Sequence, residues 1–201
     1  NKSSIAARVE KKEQTMLNKE KISLGIAPIG WTNDDMPDLG KENTFQQTVS
    51  EMALAGFSGT EIGSHYPTDP VELKKALDLR GLTICNRWFS SFLISKPYEE
   101  TEEAFRKELA FLKAVGAKRI GVSEQSYSTQ GKLDQPILEG KYVMNDEEWK
   151  KLTEGLNKLG KIAKEEGTDV RQSYVREVKE LKRTQRFRGK AHSKNKVAKA
   201  D

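Results

Sequence analysis

The chain has 201 residues, a net charge of +5 at neutral pH, 35% hydrophobic and 32% charged residues, so it has room for one domain with appendages, whereas a complete (β/α)8 barrel takes about 250 residues. No run nears the ~18 consecutive apolar residues of a membrane-spanning helix, no signal-peptide core opens the chain, and the single cysteine, Cys85, excludes a disulfide framework within it; a cytoplasmic protein with no membrane partner is expected. The basic excess is local: Lys182, Arg183, Arg186, Arg188, Lys190, Lys194, Lys196 and Lys199 face Asp201 alone, which leaves the preceding residues mildly acidic and points to a small neutral ligand rather than to nucleic acid.

Residues 1–15 are polar without an apolar face and precede the first methionine, Met16, so they are expected to be a disordered or non-native leader. From there to residue 167 strands alternate with helices. An apolar strand at 22–26 leads through Pro28, Gly30 and Trp31 into a loop with Asn33, Asp34 and Asp35, and helical spacing of Phe45, Val49, Met52 and Ala53 predicts a helix over 44–55. The second strand, 60–63, is followed by Asp69-Pro70, an N-cap and an N1 proline, and by the apolar stripe Leu73, Ala76, Leu77 and Leu79. The third strand, 82–86, precedes a helix over 98–115 carrying Ala104, Phe105, Leu109, Leu112 and Val115. The fourth, 118–122, precedes a long loop and a helix over 146–166, opened by the capping pair Asn145 and Glu148 and buried through Trp149, Leu152, Leu156, Leu159, Ile162 and Ala163. Residues 168–201 are expected to leave the sheet as a basic helical or disordered tail, since beyond Leu181 only Phe187 and Val197 are large and apolar.

This order predicts an α/β fold of parallel strands with outer helices, a partial (β/α)8 TIM barrel of about four βα units with a basic C-terminal tail. Functional groups then collect at the carboxyl ends of the strands: Trp31, Asn33 and Asp34; Glu61, Ser64 and His65; Asn86, Trp88 and Phe89; Glu124, Gln125, Tyr127, Gln130 and Lys132. His65 reads as a satisfied loop residue, Cys85 as a small buried hydrophobe and Trp149 as core.

Gly25-Ile26-Ala27-Pro28-Ile29-Gly30-Trp31 with Asn33-Asp34-Asp35, then Ala55-Gly56-Phe57-Ser58-Gly59-Thr60-Glu61-Ile62-Gly63, then Trp88-Phe89-Ser90-Ser91, then Val122-Ser123-Glu124-Gln125, resemble the N-terminal half of the inosose dehydratase family within the xylose-isomerase-like barrels. That resemblance implies a hydro-lyase of myo-inositol catabolism that removes water from scyllo-inosose, a polyol ketone, with manganese or cobalt and with glutathione as cofactors. Loss of water beside a ketone needs a base, a group to hold the enolate and an acid for the leaving hydroxyl, and a hydroxylated ring needs neutral hydrogen-bond partners. Glu61 and Glu124 are the candidate acid and base; Asn33, Asn86, Gln125 and Gln130 suit hydroxyls; Trp31, Trp88 and Phe89 suit the apolar face of a ring. The His-bearing metal motifs of the family's second half do not occur in this chain, whose two histidines are His65 and His192, so no metal ligand is assigned and the chain as it stands is expected to be an inactive, fragment-like form. The alternative reading is a non-catalytic half-barrel or a basic-tailed binding protein, and an unpaired outer edge on the fourth strand predicts self-association.

Overall fold

The structure is a computed structural model that describes residues 22–132, 134, 136 and 142–171. The expected leader, and the tail from residue 172 onward, lie outside the described residues.

The alternation read from the sequence is present: β1 (Gly25–Ile26), a 3-10 turn (Pro28–Gly30), α1 (Phe45–Leu54), β2 (Gly59–Glu61), α2 (Pro70–Asp78), β3 (Thr83–Asn86), β4 (Trp88–Ser91), α3 (Tyr98–Ala114), β5 (Arg119–Glu124), α4 (Asp146–Glu165) and β6 (Asp169–Arg171). Three of the four described α-helices, α1, α2 and α4, begin where a side chain satisfies one of the first free amides. Thr44 accepts from the Gln47 amide at 3.2 Å, and Asp69 accepts from Glu72 at 2.8 Å with Pro70 next to it. At α4 the Asn145 side chain accepts from the Glu148 amide at 3.0 Å while Glu148 accepts from the Asn145 amide at 2.9 Å, the reciprocal box its spacing predicts. Gly56 (φ 87°) and Gly116 (φ 76°) close α1 and α3 in the left-handed conformation that frees the chain to turn back into the next strand.

All strand pairs are parallel: β1 beside β2, β2 beside β3, β4 beside β5, β5 beside β6. β3 and β4 are successive halves of one strand path interrupted at Arg87. The early half pairs with β2, ending with Glu61 opposite Asn86, and the late half pairs with β5, ending with Ser91 opposite Glu124. Bonding spans the break, because the Gly121 amide donates to the Arg87 carbonyl at 2.8 Å and the Ile62 amide to the Asn86 carbonyl at 3.2 Å. Such a stagger between neighbours is what closing a parallel sheet toward a barrel requires.

Side chains alternate across this sheet. On the helix side, Ile84, Phe89, Ile120 and Val122 join Phe105, Leu109, Leu112, Leu152 and Leu159 in one buried cluster, with Phe89 edge-on to Phe105 at 5.2 Å. Arg87 points the same way, paired with Glu108 of α3 at 3.1 Å. The opposite, interior side carries small residues: a Cβ at Gly25 would come within 2.5 Å of the Cys85 sulfur. Cys85 is half-buried rather than fully buried, and burial is the main reason its thiol pKa is raised.

Three expectations change. The first ladder covers Gly25–Ile26 and not 22–26. The third strand runs on to Ser91, so Trp88 and Phe89 belong to the strand and not to its exit. The chain does not leave the sheet after Gly167: Asp169, Val170 and Arg171 pair with Arg119, Ile120 and Gly121 and so cover the outer edge of the fourth strand that the sequence left open, because Val170 reaches the buried Ile120 position and the Asp169 amide donates to the Lys118 carbonyl at 2.8 Å. One apolar residue in a short strand is too weak a pattern to read from sequence.

Candidate active site

A cleft of ≈ 520 Å³ opens at the carboxyl ends of the strands. Pro28, Thr32, Asp34 and Asp35 come from the segment after β1, Glu61 and Ile62 from the end of β2, Trp88 and Ser90 from β4, and Gln125 and Gln130 from the segment after β5. Five of the groups expected at the strand exits therefore meet: Asp34, Glu61, Trp88, Gln125 and Gln130.

Glu61 is half-buried, and Asn86 Nδ2 donates to its Oε2 at 2.6 Å. Asn86 in turn lies over Gly121, where a Cβ would come within 3.2 Å of Nδ2 and 3.3 Å of Oδ1. Asn86 is thus engaged with Glu61 and is not part of the cleft lining, a different place from the hydroxyl-binding one the sequence suggested. Trp88 is 44% exposed, leaving an indole face open in the cleft, and its Nε1 donates to Ser90 Oγ at 3.2 Å. Gln125 Nε2 donates to Ser123 Oγ at 3.0 Å, and Gln130 Nε2 donates to Asp35 Oδ1 at 2.9 Å, a bond that ties the segment after β5 to the one after β1.

Other candidates sit elsewhere. Trp31 turns toward α1, its Nε1 donating to Glu51 Oε2 at 2.6 Å and thereby holding that carboxyl below its usual pKa. Asn33 Oδ1 accepts from the amides of Asp35 and Met36, both at 3.0 Å, which makes it the keystone of its own turn. Phe89 is buried against Phe105 and presents nothing to a ligand. His65 is exposed, Nδ1 3.4 Å from the Asn43 carbonyl.

Glu124 departs most from a shared acid–base role. Its Oε2 accepts from Ser91 Oγ and from the Leu93 amide, both at 2.9 Å, while Oε1 accepts from the Ser126 amide at 3.1 Å and from Ser126 Oγ. It borders a separate pocket of ≈ 170 Å³ with Tyr127, Tyr142 and Met144. The carboxylate clamps the turn after β4 to the turn after β5.

Asp34 was expected at a strand exit but given no role, and two further polar cleft residues, Asp35 and Ser90, were not among the strand-exit groups read from the sequence. Ser90 could have been found from period-two alternation, since it shares the parity of Trp88 and opposes that of buried Phe89. Asp34 and Asp35 lie in an irregular loop whose path depends on Gly40 (φ 75°), where a Cβ would fall 1.7 Å from the Trp31 carbonyl oxygen; no local pattern announces that geometry. Among the described residues no group of three or more His, Cys, Asp or Glu side chains is placed to hold a metal ion, so the expected manganese or cobalt has no fitting ligand set here, and none of these residues is assigned to glutathione. No described helix is long and apolar enough to cross a membrane.

Parallel strands, outer helices and a polar cleft at the strand exits define a partial (β/α)8-barrel architecture. Solved structures agree: a xylose isomerase-like TIM barrel/4-hydroxyphenylpyruvate dioxygenase fusion protein superimposes with TM-score 0.54 at 18% identity over 74% of this chain and 21% of its own. The IolI protein with a bound zinc atom superimposes with TM-score 0.52 at 11% identity over 75% of this chain and 51% of its own. No family model matches the chain. Curated relatives are more specific: the inosose dehydratase of Clostridium beijerinckii is 65% identical over 155 residues, 77% of this chain and 52% of the relative, and that of Clostridium perfringens is 65% identical over 146 residues, 73% and 49%. Over its barrel units the chain is similar to these proteins named inosose dehydratase, and it spans about half the length of the curated relatives it matches.

Proposed function

We propose that these units form the Glu61 side of an inosose dehydratase active site, which removes water from scyllo-inosose, a neutral cyclic polyol ketone. The observation that carries the reading is the cleft itself: a carboxylate held from one side by Asn86, an open indole face on Trp88, and neutral amides on Gln125 and Gln130, in a chain 65% identical to proteins of that name. A ring packs its C–H face on an indole while its hydroxyls donate to carboxylate and amide oxygens. Glu61 is the group suited to take or return a proton, because Asn86 occupies Oε2 and leaves Oε1 for the substrate. Glu124 already accepts from Ser91, Leu93 and Ser126, which favours a positioning role for it.

The IolI relative in fold holds zinc, which suits a divalent metal in the family at large, and a manganese or cobalt ion would be held by residues other than those described here. Supplying the rest of the barrel tests the assignment. A chimera of residues 22–167 with the complementary part of the Clostridium beijerinckii relative is expected to dehydrate scyllo-inosose, and its Glu61→Gln variant to lose about 10²-fold or more in rate. A folded chimera without turnover, or one indifferent to Glu61→Gln, overturns the proposal.

A further inference from the structure

The cleft carries charge of a single sign: Asp34, Asp35 and Glu61 line it, and no Lys, Arg or His among the described residues does. The two aspartates are exposed at the mouth of the cleft, and each accepts from one neutral donor. Ser64 Oγ donates to Asp34 Oδ1 at 2.5 Å, and Gln130 Nε2 to Asp35 Oδ1 at 2.9 Å, so each carboxylate is oriented without losing its charge to an ion pair. Each keeps acceptor sites free, since an ionised carboxylate has about four and these bonds fill one. A hydroxyl can donate to those sites; a phosphate or carboxylate has nothing to donate and meets two like charges at the mouth in addition to Glu61.

We propose that Asp34 and Asp35 are specificity-determining residues that exclude anionic ligands, such as phosphate esters and carboxylates of cyclic polyols, from a cleft that accepts the neutral polyol. The assignment rests on reading the cleft as a polyol site, and it adds a selection rule to that reading. Neither residue acts on a reacting bond.

The test uses the whole chain with two probes, myo-inositol and its monophosphate, each titrated against the Trp88 indole N–H signal in NMR at low salt. The neutral probe is expected to bind, and the monophosphate to bind at least about tenfold more weakly, because its charge stays within a Debye length of the carboxylates. In the Asp34→Asn, Asp35→Asn double variant, which keeps an acceptor oxygen each for Ser64 and Gln130 and leaves Glu61 in place, the ratio between the probes is expected to narrow several-fold, and 1 M salt should narrow the wild-type ratio. Equal binding of the probes by the wild type, or a ratio unchanged in the double variant, overturns this inference and leaves the polyol reading standing. Failure of the neutral probe to bind overturns the polyol reading, and the selection rule with it.

Discussion

Truncating Glu124 to alanine isolates the clamp between the two turns. The change deletes every acceptor used by Ser91 Oγ, the Leu93 amide, the Ser126 amide and Ser126 Oγ. These donors are not equivalent. Ser91 and Leu93 are 0% and 2% exposed, so their groups cannot turn to water, and a buried donor left unpaired costs about 1–3 kcal/mol. Ser91 Oγ also lies 3.2 Å from the Ser123 carbonyl and can shift its bond there, whereas the Leu93 amide has no such alternative. Ser126 is half-buried and adds little. The expected loss is therefore about 1–3 kcal/mol, or roughly 2–12 °C in melting temperature for a domain of this size. Glu124→Gln, which keeps one carbonyl oxygen, is expected to recover part of it. Urea unfolding followed by far-UV circular dichroism measures both variants. A Glu124→Ala midpoint within about 0.5 kcal/mol of wild type would refute the clamp and return Glu124 to the list of candidate acids.

Gly121→Ala crowds Asn86 and, in the chimera, is expected to lower turnover about tenfold while costing under about 1 kcal/mol of stability; a matching loss in Asn86→Ala, with unchanged KM, marks Asn86 as a positioning residue, and unimpaired turnover in Asn86→Ala discards that role. Tyr66, 5% exposed and bonded to Thr60 Oγ1 at 2.7 Å, has its pKa pushed up to about 12, chiefly by burial. The unfolded chain then releases that proton near pH 10 while the folded chain holds it, so stability is full below pH 10 and falls as pH rises toward 12; Tyr66→Phe should flatten this fall, and an unchanged slope in urea midpoints argues against it. Among the described residues β1 pairs only with β2 and leaves Leu24 59% exposed, so concentration-dependent association is expected in light scattering and Leu24→Lys should reduce it; a monodisperse wild-type monomer removes the edge as its cause.

The helices were legible because their signals are local. The Asp69-Pro70 start and the Asn145 and Glu148 box are made by residues within one turn of each other, and both are present. The site was legible only where periodicity governs it. Along β5, Ile120 and Val122 are buried on the helix side while Gly121 faces Asn86. Glu124 shares the parity of Ile120 and Val122, so the sequence already held the reason it clamps loops outside the cleft. Trp31 and Asn33 were misplaced for another reason. Both sit on the segment after β1, where the destination of a side chain is set by partners far along the chain, such as Glu51 on α1 for Trp31. No spacing rule encodes that.

The break at Arg87 accounts for the division of labour between the two glutamates. Asn86 and Ser91 are opposite Glu61 and Glu124 respectively, five positions apart on one strand path, which is about 16 Å of extended chain. An odd separation also carries the two levels to opposite faces. Asn86 meets Glu61 on the interior side, and Ser91 meets Glu124 on the side of the helices and their turns. Arg87 enforces the change by pointing outward to Glu108, which sends Trp88 back inward to the cleft. Two carboxylates at the ends of their strands thus do different work. Barrel stagger lifts one above the other, and pleating turns one into the cleft and the other away from it, so proximity of strand ends in sequence order is no measure of a shared site.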